Sequence, residues 1–162
     1  MRAADPSPLP GFPLPGFPLP AMSRIVRTGD TPANRRRRYR RSCAEVLRLL
    51  AERDLAGGFD PETKDMTAFL VWNLHALYRT IDDSAATWDE KGYWKRAEAL
   101  RHRWLWAQTA ARDLEALMRA DRWADIPPRL VSLVPRFQDV TVRSTTRTAD
   151  WWCGALRAVL NR

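Results

Sequence analysis

From Tyr93 onward the apolar residues of this chain fall at Tyr93, Ala97, Leu100, Trp104, Ala107, Ala111, Leu114 and Met118, spaced by alternating fours and threes. That spacing gathers them on one stripe of a helix. A second stripe, Met66, Leu70, Leu74, Leu77, Ile81, Ala85 and Trp88, precedes it across the short polar link Asp89-Glu90-Lys91-Gly92. Each stripe needs a partner to leave water, so the pattern predicts an antiparallel helical hairpin over Glu62 to Arg122. At about 1.5 Å per residue each arm is roughly 40 Å long.

Local signals set the other elements. Asp30 or Thr31 can cap a helix with Pro32 at its first position, and Tyr39, Cys43, Val46, Leu47 and Leu50 supply its apolar stripe. The expected span is Ala33 to Leu55, closed by Gly57-Gly58. Asp60 and Pro61 repeat the cap-then-proline signal and open the first hairpin arm, expected to reach Trp88; the second arm is expected over Lys91 to Ala120. Past Asp121 the period breaks. Asp125-Ile126-Pro127-Pro128 introduces a short helix over Arg129 to Val134, stopped by Pro135. Phe137 to Arg143 alternates weakly, as a strand would, but no second strand is on offer, so it reads as an extended crossing segment. Thr148 can cap a last helix carrying Trp151, Trp152, Leu156, Val159 and Leu160. The expected fold is all-α: four to five helices built on a long antiparallel helical hairpin, forming one domain over residues 32–162.

Residues 1–31 are set apart. Pro-Leu-Pro-Gly-Phe occurs twice from Pro8 and begins a third time at Pro18. Proline at this density removes backbone donors and favours polyproline II, so the stretch reads as a disordered Pro-rich leader, or as sequence ahead of a start at Met22.

Charge changes the picture most. The formal net charge is +8, and only Lys64, Lys91 and Lys95 among the 27 basic residues are lysines. Such a balance favours polyanionic partners, although an Arg-biased genome yields the same composition. Nearly all of the excess lies between Arg24 and Arg48, where nine arginines face Asp30 and Glu45. On a helix, Arg37, Arg40, Arg41 and Arg48 gather opposite the apolar stripe, while Arg35 and Arg36 fall near it. The first turn is then basic nearly all round and is expected to project past the packed body. Cations at a helix N-terminus oppose the macrodipole by about 0.3 to 1 kcal/mol each, so a polyanion is the natural compensating partner. The candidate nucleic-acid contacts are therefore Arg35, Arg36, Arg37, Arg38, Arg40, Arg41 and Arg48. Contact with roughly four to six phosphates predicts a log K against log salt slope of about −3.6 to −5.4 on duplex DNA. An acidic protein competes as the partner for the same arginines.

Other chemistry finds little footing. A helix-turn-helix is disfavoured, because the helix after Gly57-Gly58 runs into Phe69-Leu70-Val71-Trp72, which suits a core. The acidic turn, Asp82-Asp83 and Asp89-Glu90, lacks the Glu-x-x-His spacing of di-iron bundles and reads as a solvated face paired with Arg79, Lys91 or Arg96. His75 and His102 read as surface residues, and Cys43 and Cys153 as buried free thiols. No catalytic residue, metal site or cofactor is indicated, and no apolar run approaches the ~20 residues of a membrane span. Most of the eight tryptophans are absorbed by a core. Trp106 lies off the Trp104 seam, and the adjacent Trp151 and Trp152 cannot share one helical face, so these three are the candidate partner contacts.

The expectation is a cytoplasmic, non-enzymatic accessory protein that binds nucleic acid, DNA or RNA, by its backbone and without sequence specificity, within a larger nucleoprotein assembly. The alternative is a protein-interaction module docking through its apolar seam or Trp-rich end, homodimerisation being one form of it.

Overall fold

A computed structural model describes residues 30–162. The expected leader lies almost wholly outside them. Five α-helices form among the described residues: α1 over Pro32–Ala51, α2 over Pro61–Glu90, α3 over Trp94–Arg119, α4 over Ile126–Leu133 and α5 over Ala155–Leu160. The described residues contain no strand, and the fold is all-α as the periodicity requires.

Both cap-then-proline signals operate. The Thr31 hydroxyl accepts the Asn34 N–H at 3.2 Å, and the Asp60 carboxylate accepts the Thr63 N–H at 2.7 Å, with Pro32 and Pro61 in the first turns. Helix α1 stops four residues before the expected Leu55. There Arg53 crosses to the start of α2, donating to Glu62 at 2.9 Å and Thr63 at 3.3 Å, and Gly58 turns the chain at φ +112°.

Helices α2 and α3 form the antiparallel hairpin. Gly92 takes φ +79°, and the Tyr93 N–H donates to the Trp88 carbonyl at 2.8 Å, which closes α2 before α3 begins. Tyr93 is therefore outside the helix and 55% exposed, rather than the first member of the α3 stripe. Helix α2 packs against α1, α3 and α5. Its buried set accordingly exceeds one stripe: Phe69, Val71 and Trp72 join Met66, Leu70, Leu74, Leu77 and Ile81. A helix enclosed on several sides is apolar on several sides. Full burial of each large apolar side chain contributes about 1.5 to 3 kcal/mol, so this helix anchors the core.

The C-terminal third departs from expectation in two places. Helix α4 begins at Ile126, three residues early, because Pro127 and Pro128 sit inside its first turn. A 3-10 turn over Val134–Phe137 follows, and residues 138–148 then cross α1 as an irregular strap. The single last helix is instead divided. A 3-10 turn over Ala149–Trp151 is separated from α5 by Gly154 at φ +80°. Asp65 of α2 explains the division, since its carboxylate accepts the N–H groups of Gly154 at 3.0 Å and Leu156 at 2.9 Å and so caps α5 from a neighbouring helix.

The strap is held at its far end by a buried carboxylate. Glu45, on α1 and fully shielded from solvent, accepts the backbone N–H groups of Thr146 and Arg147, the latter at 2.8 Å, and the Arg147 guanidinium at 2.7 Å. Burial pushes the Glu45 pKa up, but the two amide donors and the Arg147 charge outweigh it and hold the carboxyl below its ordinary range.

Candidate nucleic-acid interface

The arginines of α1 divide by the direction in which the helix sends them. Arg35 and Arg36 point along the α2 side. Arg35 reaches Asp83 at 3.1 Å, and Arg36 donates to the Ser84 hydroxyl at 2.8 Å and the Thr80 carbonyl at 3.3 Å. The first turn of α1 therefore does not project past the body, as the sequence led one to expect. It lies on the outer half of α2, which is long enough to extend beneath it. Desolvation there lowers the Arg36 pKa from its ordinary value.

Arg48, at the other end, donates to the Val142 carbonyl at 2.9 Å and stands 3.8 Å from Glu52. It pins the strap. Between these limits Arg37, Arg38, Arg40 and Arg41 face outward. Arg38 reaches Asp30 at 2.9 Å, and Arg41 lies 3.9 Å from Glu45, whose oxygens are already occupied by Thr146 and Arg147. Arg37 is exposed and has no carboxylate within ion-pair reach among the described residues. Arg40 forks onto Asp139 at 2.6 and 2.9 Å, and its charge holds that carboxyl below the usual range.

These side chains enclose an open groove of about 490 Å³. One wall is Arg36, Arg37, Arg38, Arg40 and Arg41; the strap residues Asp139, Val140 and Thr141 form another, and Trp104 of α3 completes it. Five arginines and one carboxylate thus line it. Arg36 and Arg40 stand 5.8 and 5.7 Å from the Trp104 ring centre, within cation–π range. Such a lining offers fork-shaped donors for phosphate oxygens beside an aromatic surface.

Of the seven arginines named from sequence, five meet at the groove, while Arg35 and Arg48 lie outside it. Trp104 and Asp139 were not identified. Trp104 sits in the hairpin stripe and reads as core, but it is only half-buried, and nothing local to Asp139 signals a partner on α1.

The three tryptophans expected to meet partners separate. Trp152 is 4% exposed, packs near Phe69 and donates its indole N–H to Glu62 at 3.3 Å; it belongs to the core and offers no surface to a partner. Trp151 is half-buried, with the Arg147 guanidinium 5.2 Å from its ring centre. Trp106 is half-buried too, edge-on to Phe137 at 5.7 Å and 5.9 Å from Trp104, with Arg136 5.2 Å from its ring centre. Trp94 is 59% exposed.

The acidic turn is paired, though with unexpected partners. Arg101 binds Asp82 at 3.4 Å and Asp89 at 2.8 Å, and Asp83 takes Arg35. No group of three or more His, Cys, Asp or Glu suited to a metal ion occurs among the described residues. His75 is half-buried against Glu115 at 2.9 Å instead of lying free on the surface. Cys43 is buried, and burial raises its thiol pKa strongly; Cys153 is exposed, contrary to expectation. Among the described residues no helix is long and apolar enough to cross a membrane. No protein-family model, curated protein or solved structure matches the chain.

Proposed function

We propose that this chain is a non-enzymatic, cytoplasmic accessory protein that binds nucleic acid by its phosphate backbone, without reading sequence, through the groove between α1, the strap and Trp104. One observation carries the reading: Arg36, Arg37, Arg38, Arg40 and Arg41 converge on one groove whose lining holds only Asp139 in opposition. Guanidiniums gathered in this way repel one another, and a row of phosphates relieves that repulsion while matching their fork geometry.

The structural assignments lower the expected number of phosphates. Arg35 and Arg48 are committed to Asp83 and the Val142 carbonyl, and Arg36 to Ser84 and Thr80. Arg37 and Arg41 remain, joined by Arg38 and Arg40 when they exchange Asp30 and Asp139 for phosphate. Three to four contacts give a log K against log salt slope of about −2.1 to −2.8 on a single strand, or about −2.7 to −3.6 on a duplex.

Fluorescence anisotropy with labelled oligonucleotides at 50 and 200 mM salt tests this. Wild type should weaken by roughly twenty- to fifty-fold on a single strand over that interval. A variant with Arg37, Arg38 and Arg41 all changed to Gln should bind weakly at both concentrations with little salt dependence. Equal binding by variant and wild type would refute the proposal. Docking of a protein through the hairpin seam or the Trp-rich end draws less support, because the seam is filled by packing and Trp152 is buried.

A further inference from the structure

We infer that the bound nucleic acid is a single strand that places one base against Trp104 in the groove and a second against Trp106 in a neighbouring cavity. This rests on the nucleic-acid reading above and goes beyond it in strandedness, footprint and the role of the indoles. The second cavity, about 390 Å³, lies between α3 and α4 and is lined by Trp106, Leu105, Leu133, Arg136, Arg129 and Asp113, the last two 3.7 Å apart. It repeats the composition of the groove on a smaller scale, with one half-buried indole flanked by guanidiniums.

The two cavities are neighbours. The Trp104 and Trp106 ring centres are 5.9 Å apart, with Trp104 lining the groove and Trp106 the second cavity. The 3-10 turn that leads into the strap carries Arg136. Its guanidinium lies 5.2 Å from the Trp106 ring centre, and its carbonyl accepts from Arg40 at 3.3 Å. Arg40, Arg136 and Arg129 thus continue the cationic wall of the groove toward the second cavity. A backbone following that line draws Arg40 and Arg136 off the rings they now cover and onto its phosphates, and a base takes the place of each on Trp104 and Trp106.

A duplex can present phosphates to Arg37, Arg38 and Arg41, but its bases are already stacked on one another inside the helix. It cannot use the indoles. A single strand can use both, and base stacking on an aromatic side chain is insensitive to which base it is. Loss of one platform typically weakens binding by about 5- to 150-fold.

The test uses the full chain with a fluorescein-labelled ten-nucleotide oligothymidylate and a self-complementary DNA hairpin of matched charge, read by anisotropy and by quenching of intrinsic tryptophan fluorescence. Trp104→Leu and Trp106→Leu remove the ring but keep an apolar side chain in a half-buried position, and circular dichroism verifies folding. The inference expects the single strand to bind at least about tenfold more tightly than the hairpin. It also expects oligothymidylate, and not the hairpin, to quench the tryptophans. Each Leu variant should lose about fivefold or more on the single strand with the salt slope unchanged, and nothing on the hairpin. Hairpin binding as tight as single-strand binding, or absence of quenching by a bound single strand, overturns the inference. The backbone reading survives that result if the triple Arg→Gln variant still binds more weakly. Absence of binding by either probe overturns both.

Discussion

Changing Glu45 to Ala removes the carboxylate that holds the strap to α1. Glu45 is fully shielded and Arg147 is 10% exposed, so the truncation leaves a nearly buried guanidinium with no counter-charge and two backbone N–H groups without their acceptor. Breaking a buried pair from one side costs about 3 to 5 kcal/mol, which for a chain of this size lowers Tm by roughly 10 to 20 °C. Thermal and urea unfolding, followed by circular dichroism and tryptophan fluorescence, measures the loss, and amide exchange at Thr146 and Arg147 localises it. The companion variant, Glu45→Met with Arg147→Met, removes both charges and should recover the part of the stability lost to the unpaired guanidinium, while the two backbone N–H groups stay without their acceptor. The pair also sets an acid limit. The folded carboxyl titrates below its unfolded value of about 4.3, so its contribution is present above that pH and is lost as the pH falls through it toward the lower folded pKa. A Glu45→Ala protein within about 1 kcal/mol of wild type, with unchanged exchange at Thr146 and Arg147, would refute this account of how the strap is held.

Other outcomes follow from the same geometry. Asp139→Asn frees Arg40 and removes the one carboxylate of the groove; oligonucleotide affinity at 50 mM salt should rise about fivefold, and the single-strand salt slope should steepen by about 0.7, both read by anisotropy. Trp152→Ala should cost about 3 to 5 kcal/mol in urea unfolding while leaving the oligonucleotide affinity of the folded fraction unchanged. Burial lowers the His75 pKa, with Arg112 and Arg162 acting in the same direction and Glu115 opposing. Its neutral form is favoured on folding, so stability is fully present above the unfolded value of about 6.5 and declines as the pH drops through it, by at most about 1.4 kcal/mol per pH unit; His75→Gln should abolish that slope in unfolding experiments between pH 5 and 7.

What was legible in the sequence follows the range of the interactions. The caps at Thr31 and Asp60 reach an N–H three residues on, and the hairpin stripes recur every three or four residues, so a short window contains the whole signal. The helical wheel also placed Arg35 and Arg36 near the apolar side of α1, where they are found. Their exposure was misjudged because the wheel carries no information about the length of the neighbour, and α2 extends far enough to offer Thr80, Asp83 and Ser84. The division of the last helix depends on Asp65, nearly ninety positions away, and the course of the strap depends on Glu45. Neither residue differs locally from an ordinary solvated carboxylate. Trp104 was assigned to the core because periodicity reports which side of a helix a residue occupies, and here the partner covering that side falls short of it.

The Glu45 clasp joins positions about a hundred residues apart, and that separation orders events during synthesis. When the ribosome has released α1, α2 and α3, their mutual packing can already form, but Glu45 still faces water without its donors, and the arginine wall has no opposite side. Asp139 to Thr141 arrive later, and Thr146 and Arg147 fix them in place last. Closing so long a loop is slow relative to local helix formation. The basic face of α1 is thus an open ridge on the nascent chain and becomes a groove only when the final segment docks.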